Sequence, residues 1–188
     1  MKPLPPTLLA LALCGTAQAQ PADYSLDPTH TFVSFEVLHG GLSTLRVRFD
    51  RKQGSVSFDR AARSGRVEFT LQMDSVNSGV PAFDERLKSD TFFDVARYPS
   101  ARFVGADFSF VGDRVSAVSG NLSLRGRSFP VSFKALNFNC YTSPLFLRPV
   151  CGGDFETVIA RSAWGLGAMP AAAADSVRVL VQIEAIRQ

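Results

Sequence analysis

Hydrophobic residues in this chain recur at every second position. Val67, Phe69, Leu71 and Met73 alternate with Glu68, Thr70 and Gln72, and Val177, Val179, Val181 and Ile183 alternate with Arg178, Leu180 and Gln182. A two-residue period is that of a strand with one buried face. Similar runs occupy residues 31–37, 45–49, 55–58, 101–110, 115–124, 129–138 and 154–160. Turn signals separate them at Gly40-Gly41, Gln53-Gly54, Ser64-Gly65, Gly112-Asp113 and Gly126-Arg127. One stretch, residues 82–89, predicts a helix: Pro81 stands just ahead of it, and Phe83 and Leu87 lie four apart. Eight or nine strands at short spacing, almost without crossover helices, predict an all-β sandwich or antiparallel barrel and exclude a parallel sheet. No repeat or linker divides the chain, so one domain is expected over residues 20–188.

Composition narrows the classes. With 188 residues, 46% hydrophobic and 20% charged, the chain has enough apolar side chain for a full core and is not disordered. No run reaches the ~18 apolar residues of a membrane-spanning helix. The 20 Lys+Arg against 17 Asp+Glu give a net charge of only +3. Arg46, Arg48, Arg66, Arg102 and Arg127 stand singly, so nucleic acid is not an expected partner. The anomaly is phenylalanine, present sixteen times. Phe35, Phe49, Phe69, Phe103, Phe129 and Phe133 fall on apolar strand faces. An eight-stranded barrel is about the size whose interior is either filled by side chains or holds one small ligand. A Phe lining suits a hydrocarbon, since each CH₂ removed from water contributes about 0.8 kcal/mol. Periodicity alone leaves the full and the hollow barrel both open.

The N-terminus reads as a secretory leader. Lys2 supplies a positive start, residues 8–14 an apolar stretch, and Ala17-Gln18-Ala19 a small-x-small end, which places cleavage before Gln20. Leu13 makes Cys14 a poor lipoprotein cysteine. With residues 1–19 removed, Cys140 and Cys151 remain, an even pair in an oxidising compartment, and a disulfide between them is expected. They bracket residues 141–150, which contain Pro144 and Pro149 and read as a loop. Catalytic signatures are lacking: no Gly-x-Ser-x-Gly, no His-Glu-x-x-His, no phosphate-cradling glycine loop. The only histidines are His30, expected to cap a strand start beside Asp27, and His39, expected in a turn before Gly40-Gly41. Neither they nor the cysteines have metal-ligand spacing, and no metal or cofactor is expected.

Particular segments carry a family resemblance. Tyr24-Ser25-Leu26-Asp27-Pro28-Thr29-His30-Thr31 is followed by Val33-Ser34-Phe35-Glu36-Val37 and His39. Leu87-Lys88-Ser89 precedes Phe92-Phe93-Asp94 and Tyr98-Pro99. Then come residues 118–126, Phe129-Pro130-Val131, Gly153-Asp154-Phe155, Ile159-Ala160-Arg161 and Trp164-Gly165-Leu166. In this order they resemble the YceI-like polyisoprenoid-binding proteins of bacteria. The resemblance implies a lipocalin-like, eight-stranded antiparallel barrel with one short helix around an apolar tunnel. It also implies a non-catalytic periplasmic protein that binds a long isoprenoid, either a polyprenyl phosphate or a quinone tail. The expected lining is Val33, Phe35, Val37, Phe49, Phe69, Leu71, Phe103, Phe133, Trp164 and Val179. Candidates for the head group are His39, Arg161, Asp27 and His30; the alternative for Arg161 is a salt bridge to Asp27 or Asp154. Phe83-Asp84-Glu85-Arg86-Leu87 departs from the family's frequent Arg-Asp-Glu-His-Leu, and Val47 stands where the family tends to have glycine. The competing reading is an exported enzyme or stress protein built on a filled barrel. A membrane-bound respiratory protein and a second copy of the chain are further candidate partners.

Overall fold

A computed structural model describes residues 21–188, so the leader reading, with Cys14, lies outside the described residues. The strands are β1 (Ala22–Leu26), β2 (Phe32–His39), β3 (Ser43–Phe49), β4 (Lys52–Asp59), β5 (Ser64–Gln72), β6 (Val76–Asn77), β7 (Ser100–Val111), β8 (Arg114–Leu124), β9 (Arg127–Ser143), β10 (Arg148–Ala160) and β11 (Ala173–Arg187). All pairings are antiparallel, and β1 bonds both to β4 and to β11, which closes the sheet.

Eleven strands make an eight-column barrel because three columns break half-way. β11 takes β1 alongside residues 185–187 and β2 alongside residues 173–182, so β1 and β2 lie end to end. β3 and β4 are likewise in line, as are β5 and β6. Neighbouring breaks are stitched together. The Asp50 amide donates to the Ser75 carbonyl, the Arg51 amide to Ser75 Oγ, and Asn77 Nδ2 to Asp50 Oδ2.

Above the breaks the ladder is incomplete in two places. β6 does not pair with β7, and the space is taken by α1 (Pro81–Lys88) and the segment after it. Pro81 opens the helix, where a missing N–H costs nothing, and Asp84 accepts from the Ser78 amide. β9 and β10 part beyond Lys134 and Glu156. There the short 3₁₀ turn Arg161–Trp164 docks on the β8–β9 hairpin: Arg127 donates to the Ala163 carbonyl, and Arg125 donates to the carbonyls of Gly165 and Asp90.

Three sequence expectations are corrected. β1 is a strand that the alternating runs, which begin at residue 31, leave out. Residues 141–150 are mostly strand, with only residues 144–147 forming the connection. The disulfide between Cys140 and Cys151 therefore joins directly opposed residues of a hairpin instead of closing a loose loop. Phe129 is 39% exposed and packs edge-on against Trp164, outside the apolar interior.

Candidate functional site

The inward faces of the barrel do not fill its axis. A lower chamber, walled by residues such as Tyr24, Phe69, Phe103, Phe133 and Phe155, holds about 1060 Å³ free of protein atoms, its opening included. An upper chamber holds about 1430 Å³ on the same measure; α1 and the segment after it contribute Phe83, Leu87, Phe92 and Phe93 to its wall. Val33, Leu71, Ala101, Leu122 and Val179 line both. The chambers therefore abut at a waist along the barrel axis.

The two ends differ. At the lower end Phe58 lies among Phe108, Phe110 and Phe138, with ring centroids 5.9–6.3 Å apart, and Arg63 stacks on Phe110. This aromatic group packs the lower end of the barrel wall. At the upper end three residues of the chamber wall are exposed: His39 at the end of β2, Arg86 on α1, and Met169 in the loop before β11. They mark the mouth.

The predicted lining residues are placed as follows. Phe35, Val37 and Phe49 line the upper chamber, Phe69, Phe103 and Phe133 the lower one, and Val33, Leu71 and Val179 the waist. Trp164 lines neither. It is buried in the seam where β9 and β10 part, against Phe129, and its Nε1 has no hydrogen-bond partner among the described residues. Ring contacts extend the walls: Phe35, Phe49 and Phe93 form a triangle at 5.8–6.0 Å, and Phe103 meets Phe133 edge-on at 5.1 Å.

Of the head-group candidates, His39 stands at the mouth. Arg161 lines the upper chamber, but its guanidinium is spent on the protein. Nε donates to the Ala174 carbonyl at 2.9 Å, one terminal nitrogen to the carbonyls of Leu166 and Ala168, and the other to the Ala173 carbonyl at 2.9 Å. It pairs with neither Asp27 nor Asp154; Asp154 instead accepts from Asn137. Asp27 and His30 lie at the β1–β2 break and line neither chamber. Burial alone would raise the Asp27 carboxyl. Hydrogen bonds from the Thr29 hydroxyl, the His30 ring and the Thr29 amide outweigh it and bring the pKa from 3.8 to about 2. The same contact with Asp27 raises the His30 pKa above its usual 6.5.

Thr29, His30 and Asp27 are the hydroxyl, imidazole and carboxylate of a catalytic relay only in composition. Thr29 Oγ1 and Asp27 Oδ2 both contact His30 Nδ1, at 3.0 and 2.8 Å, and Thr29 Oγ1 also donates to Asp27. A relay needs the hydroxyl and the carboxylate on opposite ring nitrogens. Ligand atoms of Asp27, His30 and Glu184 lie within 4.8 Å of one another, but both Asp27 oxygens are already engaged.

Sequence reasoning missed Arg86 as a mouth residue. Its position was legible: Phe83, Arg86 and Leu87 stand at i, i+3 and i+4 and so share one helix face. Met169, in a loop without periodicity, gave no such signal.

A family model described as the YceI-like domain matches residues 24–185, from β1 to near the end of β11. The chain belongs to the YceI-like domain family. Among its relatives, an UPF0312 protein of Pseudomonas putida is 28% identical over 96% of this chain and 94% of its own length. One of Azotobacter vinelandii is 36% identical over 71% of each. Two solved structures share the fold. Burkholderia cenocepacia BcnA has a TM-score of 0.68 at 21% identity, covering 85% of this chain and 98% of its own. A domain described as polyisoprenoid binding, from Saccharophagus degradans, has a TM-score of 0.60 at 18% identity, covering 88% and 98%. The YceI-like match spans both chambers and the closing pair β1–β11.

Proposed function

We propose that this YceI-like barrel is an exported, non-catalytic binding protein that takes the tail of one long-chain isoprenoid lipid into its tunnel and sequesters, stores or carries it in the periplasm. The observation that carries the reading is a pair of abutting, unfilled apolar chambers along the barrel axis, with the aromatic group around Phe58 at the lower end and the exposed His39, Arg86 and Met169 at the upper. Such walls reward hydrocarbon by about 0.8 kcal/mol for each CH₂ withdrawn from water. With strands of twelve residues or more tilted as in other eight-stranded barrels, the axis is roughly 30 Å long, room for an extended chain and excessive for a compact ligand.

The ligand class is that printed for the Saccharophagus degradans domain. Export is supported by the leader-like residues 1–19 and by the Cys140–Cys151 disulfide. A carrier without catalysis is supported by the spent guanidinium of Arg161 and by the geometry at His30, where one ring nitrogen takes both contacts. The test is organic extraction of protein purified without detergent, followed by mass spectrometry. One isoprenoid lipid per barrel is expected. A barrel that yields no lipid and takes up none of an added C20–C40 isoprenoid would remove the reading.

A further inference from the structure

A tail buried in this tunnel leaves its polar end at the mouth, and three exposed side chains meet it there. Met169 offers only a thioether. Arg86 is different. Its guanidinium has no carboxylate partner among the described residues: one terminal nitrogen lies 3.0 Å from Met169 Sδ, a weak acceptor, and the group sits over the Phe92 ring at 5.8 Å. The acids beside it on α1 are committed elsewhere. Asp84 accepts from the Ser78 amide and hydroxyl, and Glu85 pairs with Lys88 at 2.8 Å. The Asp90 carbonyl is taken by Arg125. His39, across the mouth on β2, has no side-chain hydrogen bond among the described residues. An unpaired guanidinium and an unpaired imidazole thus rim an opening whose walls are otherwise apolar, while the second arginine of the chamber, Arg161, has its donors filled by backbone carbonyls.

We infer that Arg86, with His39 beside the same opening, is the head-group site of this barrel and selects an isoprenoid bearing a phosphate over a neutral one. The inference rests on the carrier reading above and names the ligand class within it. A guanidinium fits phosphate by two parallel N–H donors. The Phe92 ring beneath the guanidinium attracts its charge without consuming its N–H groups. At a mouth that is half protein and half water, a charge-assisted pair is worth more than in bulk solvent yet does not bury an isolated charge. Arg86 is a specificity residue; the tunnel supplies most of the affinity.

The experiment compares two probes with one tail, geranylgeranyl phosphate and geranylgeraniol, with inorganic phosphate as competitor. Delipidated wild type, Arg86→Gln, Arg86→Lys and His39→Gln are each titrated at low and high salt. Wild type is expected to prefer the phosphate about tenfold or more, the size of one charge-assisted contact. Arg86→Gln is expected to abolish the preference, weakening geranylgeranyl phosphate about tenfold more than geranylgeraniol, with the melting temperature unchanged. Arg86→Lys restores part of it, His39→Gln trims it, and salt weakens only the phosphate arm. Equal wild-type affinity for the two probes, or a preference that survives Arg86→Gln, overturns the inference while leaving the carrier reading standing. Displacement of geranylgeranyl phosphate by equimolar inorganic phosphate would show a free-anion site and overturn it too. Wild type that binds neither probe defeats the carrier reading itself, and this one with it.

Discussion

Arg161 and Asp27 are both buried charges, and each is satisfied by groups close to it in sequence. Arg161 ties the carbonyls of residues 166–174 to the end of β10, so removing its head strands several buried acceptors at once. Arg161→Met is therefore expected to lose about 3 kcal/mol in denaturant unfolding, with no change in preference between phosphate-bearing and neutral lipids. Asp27 and His30 form a pH-dependent brace. The folded pKa of Asp27, about 2, lies below its usual 3.8, so its contribution is complete above about pH 4 and is lost as pH falls through 2. His30 is shifted upward, so its contribution is complete below 6.5 and fades as pH rises through the raised value. Because His30 is exposed, its share is small and screened. Asp27→Asn should return the His30 pKa, followed by NMR, towards 6.5, and should cost about 1 kcal/mol near pH 5 that vanishes below pH 2. The Asp27–His30 contact was legible because it is local, three residues apart. The cage around Arg161 was not, because its partners are carbonyls, which every residue carries.

At the scale of elements, alternation identified nearly every column of the barrel but not where the columns break. β1 carries the same period, Ala22, Tyr24 and Leu26 alternating with Asp23 and Ser25, so a local signal was present there. The breaks escaped because they are fixed by cross-strand stitches such as Asn77 to Asp50 and not by any local break in pattern. Glycine placement tells more in retrospect. Gly105 and Gly120 oppose each other in the β7–β8 ladder beside a register shift, and a Cβ on Gly120 would come within 3.0 Å of the Val104 carbonyl and Gly105 Cα, both backbone. Since neither neighbour can yield without moving the strand, Gly120→Ala should lower stability by about 2 kcal/mol or more by chemical denaturation. The hairpin bearing the disulfide makes a simpler prediction. Unfolded, unreduced protein lacking residues 1–19 should react with no thiol reagent, whereas a chain that keeps them should show one thiol, that of Cys14.

Across the whole molecule, the proposed carrier function requires the two chambers to act as one. Ala101 is the smallest of the five waist residues and is buried between them. Ala101→Phe should wall off the lower chamber at about 1–3 kcal/mol of overpacking. Lipids with tails too long for the upper chamber should then bind markedly less tightly, while short-tailed ones keep their affinity; equal effects on a C15 and a C40 lipid would mean that the lower chamber is not used. Sixteen phenylalanines leave a filled and a hollow barrel both open, and the apolar tunnel is an implication of the family resemblance; the waist and the exposed upper rim needed the register of every strand. The strand that completes the enclosure is β11. It pairs with β10 along one side and with β2 and β1 in turn along the other, and the Gln188 amide reaches the Asp23 carbonyl. The most C-terminal strand is thus the partner of the most N-terminal described one. Until β11 docks, β1 and β2 keep one edge bare, and the sheet cannot close hairpin by hairpin. Closure is a single late event of high contact order, and slow for that reason. Until it happens the open edges are exposed to pairing with other chains.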